Sequence, residues 1–173
     1  DREFVTGNND ADGVYLYQWA QQHFADQAEH IREYLEAWGG NASGLHIANI
    51  DNLGTVHPDT FWWNYDLGNV RDKPFSKIWS ETNDPLMLGF RQQPRPVTGR
   101  CGECQYLKIC GGNTRVRAYQ LTDDPWAEDP ACYLTDEDIG LDGSGERLQT
   151  TPYVHPSKVR TVDPAVEIQV QNL

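Results

Sequence analysis

Cys101, Cys104, Cys110 and Cys132 are the only cysteines in this chain, spaced C-x2-C-x5-C-x21-C. Three of them fall in one short loop, so the surrounding fold has to be built round that loop. The chain opens Asp-Arg-Glu-Phe, with no apolar export segment. Without one, clustered cysteines more often bind metal than pair as disulfides. Four thiolates close a tetrahedral zinc site or hold a [4Fe–4S] cluster. Structural zinc usually takes two short C-x2-C knuckles, and here only the first pair has that spacing. Gly111-Gly112 after the third cysteine lets backbone N–H groups approach sulfur. Arg100, Lys108, Arg115 and Arg117 flank the loop and suit an anionic cluster. Iron–sulfur is the first reading, zinc the second, and two disulfides or unliganded thiols the third.

Composition narrows the field. Of 173 residues, 38% are hydrophobic and the formal net charge is −12. Mean hydropathy is −0.68, low for a self-contained globular domain. Nucleic acid is a poor main partner for so acidic a chain, because phosphate binding needs a basic footprint. No apolar run approaches the ~18 residues of a membrane span. A cytoplasmic location is expected. The sole methionine is Met87, and the chain reads as the C-terminal part of a longer protein. Charge is uneven. Arg71 to Arg117 holds nine Lys/Arg and four Asp/Glu, whereas Leu121 to Glu146 holds nine Asp/Glu and no Lys/Arg. These are either two solvated faces, or a basic support for an anionic cluster followed by an acidic docking surface.

Periodicity and turn chemistry set an order of elements. A short strand is expected over Glu3–Val5, then a polar stretch, then one helix over Val14–Trp38 stopped by Gly39-Gly40-Asn41. Gly44–Ile50 and Thr55–Pro58 read as a hairpin about the turn Asp51–Gly54. Lys73-Pro74-Phe75-Ser76 and Asp84-Pro85 each open a short helix. After Leu141 the chain is polar and punctuated, with an edge strand possible at Val166–Val170. No internal repeat is present.

The cysteine loop, the Gly-Gly after it and the lone downstream cysteine resemble the auxiliary-cluster region of radical SAM enzymes with a SPASM or twitch domain. The hairpin, Leu67-Gly68-Asn69-Val70 and Pro74-Phe75-Ser76-Lys77-Ile78-Trp79 before the loop match that frame. Longer strings resemble the NirJ-like radical SAM family of heme d1 biosynthesis: Val5 through Tyr15, Trp38-Gly39-Gly40-Asn41-Ala42-Ser43-Gly44, Ile47 through Asn52, and His57-Pro58-Asp59-Thr60-Phe61-Trp62-Trp63. The likeness covers about residues 3 to 141.

The resemblance implies an α+β fold: the last β/α units of a radical SAM barrel over 1–43, a SPASM/twitch-like auxiliary domain over 44–141, and a polar tail over 142–173. It implies one auxiliary [4Fe–4S] cluster on Cys101, Cys104, Cys110 and Cys132. Full SPASM domains carry another Cys where Thr114 stands and a further ligand near His57-Pro58; neither is here, so a single cluster is expected. The SAM-cleaving C-x3-C-x2-C is also absent. S-adenosylmethionine and a second [4Fe–4S] cluster would therefore belong to the part of the enzyme outside this chain.

The implied substrate is a didecarboxysiroheme-like tetrapyrrole whose propionates become oxo groups, with ferredoxin or flavodoxin as reductant. The alternatives are a siroheme decarboxylase, a heme synthase of the radical SAM heme pathway, a peptide-modifying maturase, or a non-catalytic zinc-stabilised module. Asn8, Asn9, Asp10 and Asp12 precede a helix, where barrel active-site loops lie. They are candidates for SAM or substrate contact, against a simple capped turn. His57 is a candidate for siroheme iron or substrate, against a satisfied strand-end histidine. Arg115 and Arg117 are candidates for propionate pairing, against local charge balance. Phe61, Trp62 and Trp63 either stack on a macrocycle or pack a core. His23, His30 and His46 read as surface or frame residues.

Overall fold

A computed structural model describes residues 9–141. The expected Glu3–Val5 strand, Asn8, the tail 142–173 and the edge strand at Val166–Val170 lie outside the described residues. Among the described residues seven helices and one small sheet follow in order: α1 Ala11–His23, α2 Ala25–Trp38, β1 Asn49–Ile50, β2 Val56–His57, α3 Phe75–Ser80, α4 Pro85–Arg91, α5 Gly99–Glu103, α6 Leu107–Cys110 and α7 Arg115–Thr122. The arrangement is mixed, mostly helical with few strands.

The single helix expected over Val14–Trp38 is two. Phe24 leaves helical geometry at φ −144°, ψ 52°. One straight rod of that length would span roughly 37 Å and carry its ends apart. Broken at Phe24, α1 and α2 fold onto each other, and Ala20 and Ala28 are both buried in one core. The helix stop at Gly39 is as expected, in left-handed geometry with its N–H on the Leu35 carbonyl.

The hairpin is shorter than expected. β1 and β2 pair antiparallel with Asn49 opposite His57 and Ile50 opposite Val56. Asp51 makes the turn: its side chain accepts from Leu53 N at 2.9 Å and Thr55 N at 2.8 Å. Residues 44–47 are not strand. Leu45, His46 and Ile47 all donate to the Ala42 carbonyl, which curls them into a turn. Val56 instead gains a partner on its other side, exchanging backbone bonds with Leu67 and Gly68. Asp84 caps α4 by accepting from Met87 N, with Pro85 in its first turn.

Two apolar cores result. Ala11, Val14, Tyr17, Ala20 and Ala28 of the helix pair meet Ile109, Leu134 and Ile139, with Cys104 and Cys132 at the margin. The other gathers Trp62, Leu86, Met87, Phe90 and Val116. α7 bridges them: Val116 and Tyr119 belong to the second core, while Arg115 and Arg117 turn to the cysteine loop. No helix among the described residues is long and apolar enough to cross a membrane.

Candidate metal centre

The fold gathers the four cysteines around one small cavity, which Val14, Leu107, Asn113, Asp129 and Ile139 also line. Cys101 ends up there from α5, Cys104 from its C-cap, Cys110 from the end of α6 and Cys132 from the segment after α7. All four are free thiols and half-buried. Among the described residues no group of three or more His, Cys, Asp or Glu stands in position to hold a single metal ion.

Backbone amides point at sulfur. Tyr106 N donates to Cys104 Sγ at 3.4 Å and Asp129 N to Cys101 Sγ at 3.4 Å. The Gly112 amide bonds the Cys110 thiol. Burial pushes the thiols of Cys101 and Cys104 up, and that of Cys110 to about 12. Arg115 opposes the shift at Cys101 and Arg100 opposes it at Cys104. Buried thiols that keep their protons while amides and guanidiniums surround them are set to gain stability when those protons leave for a metal.

Cys132 is distant in sequence from the loop, and two ion pairs bring it in. Arg117 grips Asp129 through Nε at 3.0 Å and Nη2 at 2.8 Å. Arg100 grips Asp136 at 2.6 Å and donates to the Leu134 carbonyl at 2.6 Å. These acids stand on either side of Cys132. The basic and acidic segments are thus not two separate solvated faces; at the cysteine loop they interlock. Asp129 and Asp136 drew no notice in the sequence, since nothing there marks which acid finds an arginine.

Asn113 ties the start of α1 to the same place. Its side chain accepts from Asp10 N at 2.9 Å and donates to Asn9 Oδ1 at 2.6 Å and Asp129 Oδ2 at 2.7 Å. Asn113 is 2% exposed and left-handed at φ 62°. Its position just after Gly111-Gly112 was the available signal. Asp12 accepts from the Tyr133 hydroxyl at 2.8 Å. Asp10 is pushed above the usual carboxylate value by burial, against the pull of Arg117 and Arg95. So Asn9, Asp10, Asp12 and Arg117 do converge, the first two on Asn113 after the Cys110 turn and the others on Tyr133 and Asp129, which flank Cys132.

Other candidates are placed differently. Arg115 is fully buried, and its guanidinium bonds the carbonyls of Gly112, Ala127 and Pro125. It meets protein carbonyls rather than a propionate, and its charge acts on Cys101. His57 is 3% exposed, with Nδ1 on the Tyr65 carbonyl at 2.7 Å and Nε2 3.6 Å from Asp51. Burial and the bond to the Tyr65 carbonyl make it part of the packing that holds the hairpin. Trp62 is fully buried among Phe90, Tyr65 and Tyr119 and is core, whereas Trp63 is 72% exposed.

No protein-family model and no solved structure matches the chain. Over 153 residues it is 55% identical to the pre-heme d1 synthase of Dinoroseobacter shibae, covering 88% of this chain and 38% of that protein. It is 42% identical over 141 residues to the Fe-coproporphyrin III synthase of Methanosarcina barkeri, covering 35% of that protein. The AdoMet-dependent heme synthase of Nitratidesulfovibrio vulgaris is 40% identical over 93 residues, 24% of its length. The chain therefore spans less than two fifths of the length of each of these relatives. These identities agree with the resemblance carried by the sequence, and the chain is a NirJ-like relative of the pre-heme d1 and heme synthases.

Proposed function

We propose that this chain is the auxiliary-cluster portion of a radical SAM enzyme of heme d1 synthesis, with Cys101, Cys104, Cys110 and Cys132 as ligands of one [4Fe–4S] cluster. One observation carries the reading: four thiols line one cavity, with backbone N–H donors on three of them. Thiolates are the ligands iron–sulfur clusters take, and N–H donors with nearby guanidiniums suit a bound group of negative charge. A cluster held there supplies one-electron transfer close to a substrate.

The chain's own residues prepare that site. Loading displaces the protons that burial keeps on Cys101, Cys104 and Cys110. The amides of Tyr106, Gly112 and Asp129 stay on the sulfurs and stabilise their charge. Arg100 and Arg117 hold Cys132 in reach through Asp136 and Asp129. The substrate is read as a didecarboxysiroheme-like tetrapyrrole whose propionates become oxo groups. S-adenosylmethionine and a second [4Fe–4S] cluster belong to the remainder of the enzyme, in its barrel, and ferredoxin or flavodoxin supplies electrons. The identities to the Fe-coproporphyrin III synthase and the AdoMet-dependent heme synthase favour a second reading, the same portion of a siroheme decarboxylase or heme synthase.

Anaerobic reconstitution with iron and sulfide is the test. About four irons per chain and a reducible EPR signal, both lost in Cys132→Ala, are expected. One zinc per chain with no reducible cluster would instead make this a zinc-stabilised module. In the whole enzyme, unchanged product formation by a Cys110→Ala variant without its auxiliary cluster would refute the electron-transfer role.

A further inference from the structure

A second and larger cavity, of about 490 Å³, shares a wall with the one the cysteines line. Leu107 borders both, and Gly111, next to Cys110, borders the larger. Its volume falls in the range of small-molecule sites, roughly 300–1,000 Å³.

The chemistry of its lining is uneven in sign. Arg95 is 4% exposed, and its guanidinium donates to the carbonyls of Gly111 at 3.0 Å, Asn41 at 2.5 Å and Phe90 at 3.4 Å. These acceptors are neutral, and the acid that acts on Arg95, Asp10, is itself raised toward its neutral form by burial. Among the described residues no carboxylate hydrogen-bonds the guanidinium. Lys108 and His46 stand exposed on the rim. The acid there, Glu36, is occupied by Arg32 at 2.8 Å. In a chain of net charge −12, this recess is locally cationic, and a charge of one sign in a recess focuses the field on an incoming anion. Beside it the indole of Trp38 is 75% exposed. An open aromatic face next to buried and exposed cations suits a flat aromatic molecule that carries carboxylates.

We infer that this cavity binds the carboxylate-bearing edge of a tetrapyrrole, with Lys108 set for a carboxylate, Arg95 lending its charge from within the wall, and Trp38 set for the macrocycle. The choice of a tetrapyrrole among flat anions rests on the function proposed above. The placement then brings the ligand close to the thiols, because Leu107 of α6 lines both cavities and Gly111, next to Cys110, lines the larger.

The test titrates the whole protein that carries this segment with iron coproporphyrin III, followed by its absorbance. Lys108→Glu and Trp38→Ala change exposed side chains, so iron and sulfide content report that the fold and cluster are intact. Lys108→Glu is expected to raise Kd about ten-fold, the loss of one charge-assisted contact, and Trp38→Ala several-fold. The porphyrin is also expected to shield Lys108 from an amine-reactive label. Tight binding by wild type with both variants unaffected would overturn the cavity and leave the proposed function standing. No binding by cluster-loaded wild type would overturn the tetrapyrrole reading itself. Lys108 already shielded before porphyrin is added would show that the remainder of the polypeptide covers this cavity, and would overturn the inference too.

Discussion

Gly40 sits at φ +71° against the backbone of Cys110, and a Cβ added there would lie 2.2 Å from the Cys110 carbonyl oxygen. Neither partner is a flexible side-chain end, so Gly40→Ala has to move the Cys110 turn. Gly39 has nearly the same φ, +74°, but its nearest neighbour would be 3.9 Å away. Gly39→Ala therefore costs only left-handed strain, about 1 kcal/mol, or roughly 2–4 °C in Tm for a chain of this size. Gly40→Ala is expected to lower Tm well beyond that and to reduce bound iron after reconstitution. Equal effects of the two in thermal melts would refute the close approach. Asp10 offers a pH test. Burial raises its native value above 3.8, so between 3.8 and the raised value the native state binds the proton more tightly. Its contribution to stability thus falls as pH rises through that window and stays lost above it. The stability of Asp10→Asn relative to wild type is expected to grow over the same window. A difference flat with pH, in denaturant melts from pH 3 to 7, would contradict it.

Between elements, ion pairs differ by burial rather than by distance. Arg32–Glu36 is a half-buried and Lys77–Glu81 an exposed i,i+4 pair, worth about 0.3–0.5 kcal/mol each. Arg117–Asp129 joins α7 to the segment before Cys132, and the Asp129 side chain is 1% exposed. Arg117→Ala would leave that carboxylate buried beside Asn113 with its main cation gone, at a cost of about 3–5 kcal/mol. Lys77→Ala in α3 is expected to change stability by less than about 0.5 kcal/mol. Urea melts of both variants, with Asp129→Asn added to Arg117→Ala, check this: the second change should return part of the loss. Such pairings explain what the sequence did and did not disclose. The cysteine spacing, the Asp51 turn, the Gly39 stop and the Asp84-Pro85 cap are local, and local chemistry was enough to read them. The apolar period from Val14 to Trp38 runs on without a breaker, so the fold-back at Phe24 is invisible until a core on its inner side needs both halves. Arg115 and Arg117 look alike in sequence. One is swallowed by carbonyls and the other meets Asp129, a difference set only by which way α7 faces.

At the scale of the whole molecule, Cys104 and Cys132 pack against the core of the helix pair. The helix pair α1–α2 shares its apolar cluster with Ile109, Leu134, Cys104 and Cys132. Its first residues are also fastened to the Cys110 turn through Asn113. Among the described residues the hairpin β1–β2 shows no hydrogen bond to Asn113; its ties run through Val56 to Leu67 and Gly68 and through His57 to Tyr65. A ligand that binds the native state stabilises whatever must be ordered to bind it, and amide exchange reads that region by region. Loading the four thiols with iron and sulfide is expected to slow exchange in α1, α6 and residues 129–134 together, and to leave Val56 and His57 close to their unloaded rates. Removing iron with a chelator should reverse the change in the same regions. Protection confined to the Cys101–Cys110 loop would mean that the Asn113 network does not couple α1 to the site. Protection that rose equally in the hairpin would mean that the two cores unfold as one unit, and that stability measured in either core reports whether the four thiols are loaded.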